Sequence, residues 1–304
     1  MDHPLLAEEH SDVRRRVVRL LSSGYNVRNS GNIIFVCGGN KPRQMRNKFK
    51  RYCKKNLPEF EIFFPEYAME NYFSDHVSEP FDIADFESLI GKLSHAIVIF
   101  PEAPGSFAET GYFSAVPHLA KKALLVMDLN RQGQDSFIMM GPAKKIGEQS
   151  VFQPVMQLNY KKPAFDDMAK RLTRVRLNKN RKSLDCSKFD ELTEYDIFCL
   201  IYQCAKILSI CRISDILFML RALSKAQVSP ILTKKLTSIL VGAEYFLPIG
   251  QYGHYAPNHE KNPLLGQRTG TPTEEDSLML DLAIIYAASD PEFLELVEES
   301  RNVN

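Results

Sequence analysis

Four short apolar runs, each followed by glycine, proline or aspartate, constrain the fold of this chain more than any other feature. The runs lie at residues 32–37, 61–64, 95–100 and 123–127. Stretches of helical character separate them, at 41–57, 82–93 and 106–120. Apolar strands that alternate with helices are typical of βαβ units in a parallel sheet. With a fifth strand within 151–158, the sequence predicts a doubly wound, flavodoxin-like α/β domain whose ligands bind at the carboxyl ends of the strands.

The pattern changes after residue 190, where helical periodicity dominates. Helices are predicted at 194–208, 213–224 and 230–244, and residues 245–257 are typical of a β-hairpin turned at Gly250 and Gly253. Three helices followed by a hairpin outline a small winged-helix domain. The expected organisation is an N-terminal helix at 1–30, an α/β domain at 31–160, a basic linker with one exposed helix at 161–190 and a helical partner-binding domain at 191–304 that ends in acidic helices.

Composition excludes several classes of protein. The chain has 304 residues, of which 44% are hydrophobic and 25% are charged, as expected for a soluble globular protein of about two domains. Its apolar runs are too short to cross a bilayer, and its first ten residues lack the apolar core of a signal peptide. Six cysteines occur without a CxxC pair or zinc-ligand spacing. We therefore expect no membrane span, no metal and a cytoplasmic location.

The net charge of +1 conceals a strong asymmetry along the chain. Residues 161–268 carry 18 basic and 10 acidic side chains, whereas residues 269–304 carry one basic and nine acidic. The basic region predicts a polyanionic partner, with Lys170, Arg171, Arg174 and Arg176 as its expected contacts. The acidic tail predicts either a cationic partner or a fold back onto the basic region. The stretch 41–55, with eight basic and no acidic residues, is either a solvated helix face or a phosphate-binding surface.

The segment FPEAPGSFAETGYFS, residues 100–114, is the motif most suggestive of chemistry. It joins a predicted strand to a helix that is expected to start near Ser106. A capping box of Ser106 and Glu109 would account for both residues without any catalysis. Alternatively, the free amides at the helix start form an anion site, and the carboxylate of Glu109, one turn on, faces the same cleft.

This segment resembles the P-x-x-G-S/T-x-x-E-x-G motif of nucleoside 2-deoxyribosyltransferase-like proteins. Further strings extend the resemblance over about residues 30–160: IFVCGG (34–39), IFFPE (62–66), FESLIGKLSHAIVIFPEAPGSFAETGYFS (86–114) and SFIMMGP (136–142). Together they resemble the effector subunits of bacterial retron anti-phage systems that are built on a deoxyribosyltransferase-like domain. From residue 161 onward the resemblance weakens, although such effectors also carry a helical, winged-helix-like region.

The resemblance implies that Glu109 attacks the anomeric carbon of a nucleoside and displaces the base. A carboxylate suits the oxocarbenium-like transition state of such a reaction and can form a covalent sugar ester. Transferases of this family carry an aspartate six residues before the glutamate, but this chain has Ala103 there. Hydrolysis is therefore favoured over base exchange. The expected substrate-binding residues are Cys37, Gly38, Gly39, Glu87, Glu102, Gly105, Ser106 and Asp128.

Three functions follow as hypotheses. The first is a toxic N-glycosidase that cleaves NAD or a related nucleotide as its substrate, needs no cofactor and is controlled by a retron reverse transcriptase with its msDNA, a branched DNA–RNA molecule. The second is a non-catalytic module that senses a nucleotide and binds nucleic acid. The third, a salvage nucleoside deoxyribosyltransferase, is disfavoured by Ala103. Self-association through the α/β domain stays open. Alternatively, Glu87 lies on a solvated helix face and Asp128 caps a loop, without binding a substrate.

Overall fold

The protein forms two compact units. Its computed structural model describes residues 3–27, 32–74, 82–130, 135–175, 182–224 and 228–302. The α/β unit comprises Ser30–Pro65 and Glu79–Lys179. The helical unit comprises Met1–Asn29, Glu66–Ser78 and Asn180–Asn304, so three separate stretches of chain build it.

The described residues contain ten strands and thirteen α-helices. The strands are β1 (Tyr25–Val27), β2 (Ile33–Cys37), β3 (Glu61–Phe63), β4 (Ala96–Ile99), β5 (Ala123–Asp128), β6 (Met156–Leu158), β7 (Lys182–Ser183), β8 (Phe246–Ile249), β9 (His254–Pro257) and β10 (Leu265–Gln267). The helices are α1 (Ser11–Ser23), α2 (Met45–Asn56), α3 (Pro65–Ser74), α4 (Ile83–Leu93), α5 (Pro104–Ala115), α6 (Pro117–Ala120), α7 (Lys144–Gln149), α8 (Asp166–Arg174), α9 (Glu194–Leu208), α10 (Ile213–Leu223), α11 (Pro230–Gly242), α12 (Thr271–Ala287) and α13 (Pro291–Asn302).

A five-stranded parallel sheet in the order β3-β2-β4-β5-β6 organises the α/β unit. In the register, Phe35 pairs with Phe63 on one side and with Ile97 on the other. All residues of β2, β4 and β5 are buried, as expected for central strands covered on both faces. The prediction of a doubly wound, five-stranded α/β domain is confirmed, and the strand order is that of flavodoxin-like folds.

Aromatic side chains join the helices to both faces of the sheet. On one face, Phe49 of α2 and Phe165, the residue before α8, pack against Phe100, with ring centroids 5.9 and 6.5 Å from it. On the other face, Phe113 of α5 lies 5.9 Å from Phe35. Helix α8 falls in the segment that was expected to be a linker with one exposed helix, yet one face of α8 packs in this core. The reason is that Met168, Ala169 and Leu172 form an apolar stripe on one side of the helix. The many basic residues around it dominate the composition of the segment.

The helical unit collects α1 and α9–α13 around two small antiparallel sheets. One sheet has the order β10-β1-β7, and its strands are only two or three residues long. The acidic tail packs on α1, where Arg16 donates to Glu274, Ser277 and Asp281 of α12. Within this unit, the tail therefore folds back onto the N-terminal helix.

The predicted hairpin is present as β8 and β9, which pair in antiparallel register. Gly250 and Gly253 in its turn have φ values of 60° and 70°, a conformation that favours glycine. A single bridge joins Cys211 to Tyr255, so a short extended segment between α9 and α10 flanks the hairpin. The three predicted helices, α9, α10 and α11, precede the predicted hairpin, and the extended segment lies between the first two.

The six cysteines are buried free thiols. Burial raises the pKa of Cys53, Cys186 and Cys204 to about 12, so these side chains act as small apolar residues. Among the described residues, no three His, Cys, Asp or Glu side chains are placed to hold one metal ion. None of the helices in the described ranges combines the length and the hydropathy that a bilayer span requires.

A buried histidine joins the start of the chain to the core of the helical unit. Nδ1 of His3 accepts a hydrogen bond from the amide of Leu5 at 3.2 Å, and Nε2 lies 3.3 Å from the carbonyl of Leu208. Tyr286 lies 3.3 Å from Nε2 and donates to the same carbonyl at 2.7 Å. Burial lowers the pKa of His3 to about 4, so the ring is neutral at pH 7.

This lowered pKa predicts an acid-sensitive step in unfolding. Since unfolded His3 binds a proton below about pH 6.5 and folded His3 does not, the free energy of unfolding should fall by about 1.5 kcal/mol between pH 6.5 and 5 from this group alone. His3→Gln should flatten the pH dependence by that amount in urea titrations, whatever its effect at neutral pH. The exposed His118→Gln is the matched control, and equal slopes in both variants would contradict the assignment.

Candidate active site

The carboxyl ends of β2 and β4 form the point at which the sheet topology reverses. The chain leaves β2 toward β3 on one side and returns to β4 on the other, so the loops after these two strands diverge. Ligands of open α/β sheets bind in the crevice that opens at such a point. Cys37, at the end of β2, is 2% exposed, and Gly38 and Gly39 follow it into the crevice.

Glu102 joins the two diverging loops. Its Oε1 accepts hydrogen bonds from the amide of Gly39 at 3.2 Å and from the amide of Met45, the first residue of α2, at 2.7 Å. Burial raises the pKa of Glu102, and the amide bonds oppose that shift because they stabilise the carboxylate. A Cβ at position 38 would lie 3.3 Å from this same oxygen, so glycine there permits the close approach.

Ser106 closes the loop that follows β4. Its hydroxyl accepts from the amides of Glu102 and Ala103 at 3.1 and 3.0 Å and donates to the carbonyl of Ala103. Helix α5 begins at Pro104, which supplies the fixed φ angle of a first helical residue. Ser106 is therefore the third residue of the helix and not its cap. The expected capping box of Ser106 and Glu109 is wrong, because the helix starts two residues earlier than expected.

A cleft of about 570 Å³ opens beside this loop, over the ends of β4, β5 and β6. Two carboxylates, Glu102 and Asp128, line it together with the aromatic ring of Phe107. Asp128 ends β5 and is 6% exposed, and its Oδ1 accepts from the amide of Asn130 at 3.1 Å. Three basic side chains lie along the same cleft: Arg43, Lys48 and Lys161.

Tyr160 fixes the far side of the cleft. Its hydroxyl donates to the carbonyl of Val126 at 2.6 Å, and its own carbonyl accepts from Nζ of Lys48 at 2.8 Å. Burial, with Glu102 and Asp128 nearby, raises the pKa of Tyr160. Neither Tyr160 nor Phe107 was predicted as a site residue. The position of Tyr160 just after a strand end was the one signal in the sequence that could have identified it.

Glu109 and Glu87 lie away from these cleft-lining residues. Glu109 is half-buried on α5, and its Oε2 is shielded from solvent. One turn further on, Tyr112 donates to the carbonyl of Ala84 at 3.2 Å, so this flank of α5 faces α4, the helix that carries half-buried Glu87. Phe107, nearly opposite Glu109 around the helix, faces the cleft. The crevice is thus bordered by two carboxylate-bearing regions, one on each flank of α5.

Gly105 stands at the exposed start of α5, between these two regions. A Cβ built at this position meets no heavy atom within 4 Å, so the backbone there is open to an approaching group. The amide nitrogens of a helix start favour an anion. The corresponding end of α2 already binds the carboxylate of Glu102 at its Met45 amide.

The basic residues nominated for partner contacts have different environments. Arg174 is exposed, and exposed Lys170 pairs with Asp167 at 3.3 Å. Arg171 instead donates to the carbonyls of Phe152 and Pro154, so it stabilises the fold of the α/β unit. Arg176 lies outside the residues that the structure describes.

The hydrogen bonds of Glu102 to the amides of Gly39 and Met45 can be tested without a ligand. Glu102→Ala removes the acceptor for the first amide of α2 and should lower the free energy of unfolding by about 1–2 kcal/mol, the usual effect of losing a helix cap. The unfolding temperature should then fall by several degrees. Exposed Glu148→Ala on α7 is the matched control. A melting temperature unchanged in Glu102→Ala would show that the two loops hold each other by other contacts.

Comparisons with known proteins agree on one family. A family model described as STM3845 retron effector protein matches residues 42–247. Two Escherichia coli proteins are similar over part of their length. "Retron Ec73 putative ribosyltransferase/DNA-binding protein" is 31% identical over 121 residues, which cover 38% of each chain. "Retron Ec86 putative ribosyltransferase/DNA-binding protein" is 28% identical over 113 residues, 36% of each chain. The matches thus span little more than a third of these relatives.

Proposed function

This chain belongs to the STM3845 retron effector family, and we propose that it is a toxic N-glycosidase that cleaves NAD or a related nucleotide in anti-phage defence. Water replaces the base at the anomeric carbon: the C–N bond breaks, the base leaves, and the sugar gains a hydroxyl. Glu109 is the residue proposed to attack this carbon or to stabilise its positive charge. The ribosyltransferase part of the relatives' names supports chemistry at a glycosidic carbon.

The setting of Glu109 is the observation that carries this proposal. A carboxylate with one oxygen shielded from solvent lies one turn into a helix that starts at the crevice. Such a group stabilises positive charge on a sugar more strongly than a solvated carboxylate does, because water screens it less. The rigid loop held by Ser106 and Glu102 keeps the start of α5 in place.

The cleft supports a nucleotide as the substrate class. Phe107 and Ile138 offer an apolar surface to a base or ring, and the carboxylates of Glu102 and Asp128 can accept from sugar hydroxyls. Arg43 and Lys48, which belong to the basic stretch 41–55, can bind phosphate oxygens. The apolar, acidic and basic groups thus suit the base, the sugar and the phosphate of a nucleotide, respectively.

One observation favours a second candidate, a module that binds a nucleotide without cleaving it. Glu109 is not among the side chains that line the 570 Å³ cleft. A nucleotide held entirely in that cleft would leave Glu109 unused. Base exchange is the weaker alternative, since Ala103 provides no carboxylate to hold an incoming base.

Glu109→Gln separates catalysis from binding. The variant should release base from NAD or deoxynucleotides at least a hundredfold more slowly, because the amide cannot stabilise the charge that develops in the transition state. Its melting temperature should stay within a few degrees of the wild type, because Glu109 caps no helix. Released base is measured by chromatography, with exposed Glu148→Gln as the matched control. Full activity in Glu109→Gln would remove the proposal, and nucleotide binding without base release by the wild type would establish the binding module.

We also propose that a retron reverse transcriptase and its msDNA restrain this activity, through phosphate contacts on the basic face of the α/β unit. Helices α2 and α8 adjoin there, since Tyr52 donates to Asp166 at 2.7 Å. Exposed basic side chains lie on both helices: Arg51, Lys54 and Lys55 on α2, and Lys170 and Arg174 on α8. The DNA-binding part of the relatives' names supports a nucleic-acid partner.

Charge reversal on α8 tests this surface. Lys170→Glu with Arg174→Glu should weaken binding to a short DNA hairpin by about tenfold and reduce the slope of log affinity against log salt by about one to two. The matched control is Lys144→Glu with Lys145→Glu, two exposed lysines on α7. Fluorescence anisotropy at several salt concentrations measures both quantities. Equal losses in the two variants would mean that only net charge matters, and the nucleic-acid surface would then lie elsewhere.

A further inference from the structure

An acidic groove in the helical unit has no role in the proposed reaction. It lies between the β8–β9 hairpin and α13 and has a volume of about 540 Å³. Its lining residues are Tyr252, His254, Glu292, Glu295, Leu296 and Glu299. No lysine or arginine of the described residues is among them.

Three carboxylates share one wall of this groove. Glu292, Glu295 and Glu299 are three and four residues apart on α13, so they project from the same face of the helix. All three are exposed, and no side chain in the described ranges forms an ion pair with them. Helix α13 meets the hairpin closely, since a Cβ at Gly250 would lie 2.9 Å from Leu296.

The opposite wall provides an aromatic ring and a hydrogen-bond acceptor. Tyr252 in the hairpin turn is 76% exposed, so its ring is free to stack. His254 is 3% exposed, and its Nδ1 has no hydrogen-bond partner among the described residues. Burial and the charge of Arg212 lower the pKa of His254, although Asp215 opposes them. A neutral imidazole has one ring nitrogen that can accept a hydrogen bond.

We propose that this groove binds an arginine-bearing segment of a basic protein partner. A guanidinium donates to carboxylates in a planar, bidentate arrangement and stacks on an aromatic face, so it uses both walls of the groove. The unpartnered nitrogen of His254 provides a further acceptor. This inference concerns the helical unit and does not depend on the reaction proposed for the α/β unit.

Two other ligand classes fit the groove less well. A metal ion needs several ligands within bonding distance of one point, and no such group of three occurs among the described residues. Nucleic acid would bring phosphates against three carboxylates, which repel them. The hairpin residues His254 and Tyr255 are 3% and 4% exposed and cannot stack on a ligand. Protein and nucleic acid therefore have separate surfaces on this chain.

The test uses the full chain and a fluorescent, arginine-rich peptide as the probe. Neutralising the groove with Glu292→Gln, Glu295→Gln and Glu299→Gln should weaken peptide binding about tenfold in anisotropy titrations. A charge-matched control neutralises three exposed carboxylates outside the groove: Glu260→Gln, Asp276→Asn and Glu298→Gln. The control should change affinity less than twofold. Circular dichroism and thermal unfolding establish that both triple variants are folded.

Single substitutions distinguish a built site from general charge attraction. Tyr252→Ala should weaken the peptide several-fold and Tyr252→Phe should retain binding, because the ring and not the hydroxyl stacks on guanidinium. A lysine-rich peptide of the same length should bind several-fold more weakly than the arginine-rich one. Equal losses in the groove and control triples would overturn the proposal. A larger loss of affinity for a DNA hairpin than for the peptide in Tyr252→Ala would also overturn the proposal, because it would show that this surface binds DNA.

Discussion

The carboxylate of Glu102 is the contact on which the architecture of the α/β edge depends. Parallel sheets open a crevice where the connections from two neighbouring strands diverge, and nothing in the sheet hydrogen bonds holds those loops together. Here one oxygen bonds the amide of Gly39 and the first amide of α2, while Ser106 bonds the amide of Glu102 itself. Side-chain bonds to the backbone therefore join the loops that border the crevice.

In both units, acidic and basic side chains are segregated into separate regions. In the α/β unit, carboxylates lie inside the crevice and cations at its rim and on the surfaces of α2 and α8. In the helical unit, Glu274 and Asp281 of α12 are bound to Arg16, whereas all four glutamates of α13 are exposed. A small net charge thus conceals two surfaces of opposite sign.

Sequence patterns predicted the elements that are long or fully apolar. The runs containing Phe35, Val98 and Leu125 were recognisable because central parallel strands are buried on both faces, and the hairpin was recognisable from its two glycines. Strands β1, β7 and β10 were missed because two or three residues carry no periodicity. Helix α8 was expected to be an exposed helix because its charges dominate its composition, but Met168 and Leu172 pack in the core. The predicted start of α5 was two residues too late. A serine such as Ser106 is common both as an N-cap and as the third residue of a helix, and only the backbone conformation distinguishes these two positions. The cleft residues Tyr160 and Phe107 come together through tertiary packing, which no local pattern encodes.

The two units differ in when their residues become available during synthesis on the ribosome. The α/β unit is complete once the residues to Lys179 have been made, but the helical unit needs α1 from the beginning, α3 from the middle and α12 from near the end. Domains tend to fold as their residues become available, and contacts between distant segments form late. Helix α1, which buries Val17 and Leu21, contacts α9, α10 and α12, so its packing is complete only after α12 has emerged. A chain that folds as it is made would have a complete α/β unit before a complete helical one. Fragments of the helical unit that lack residues 1–29 lack part of its core.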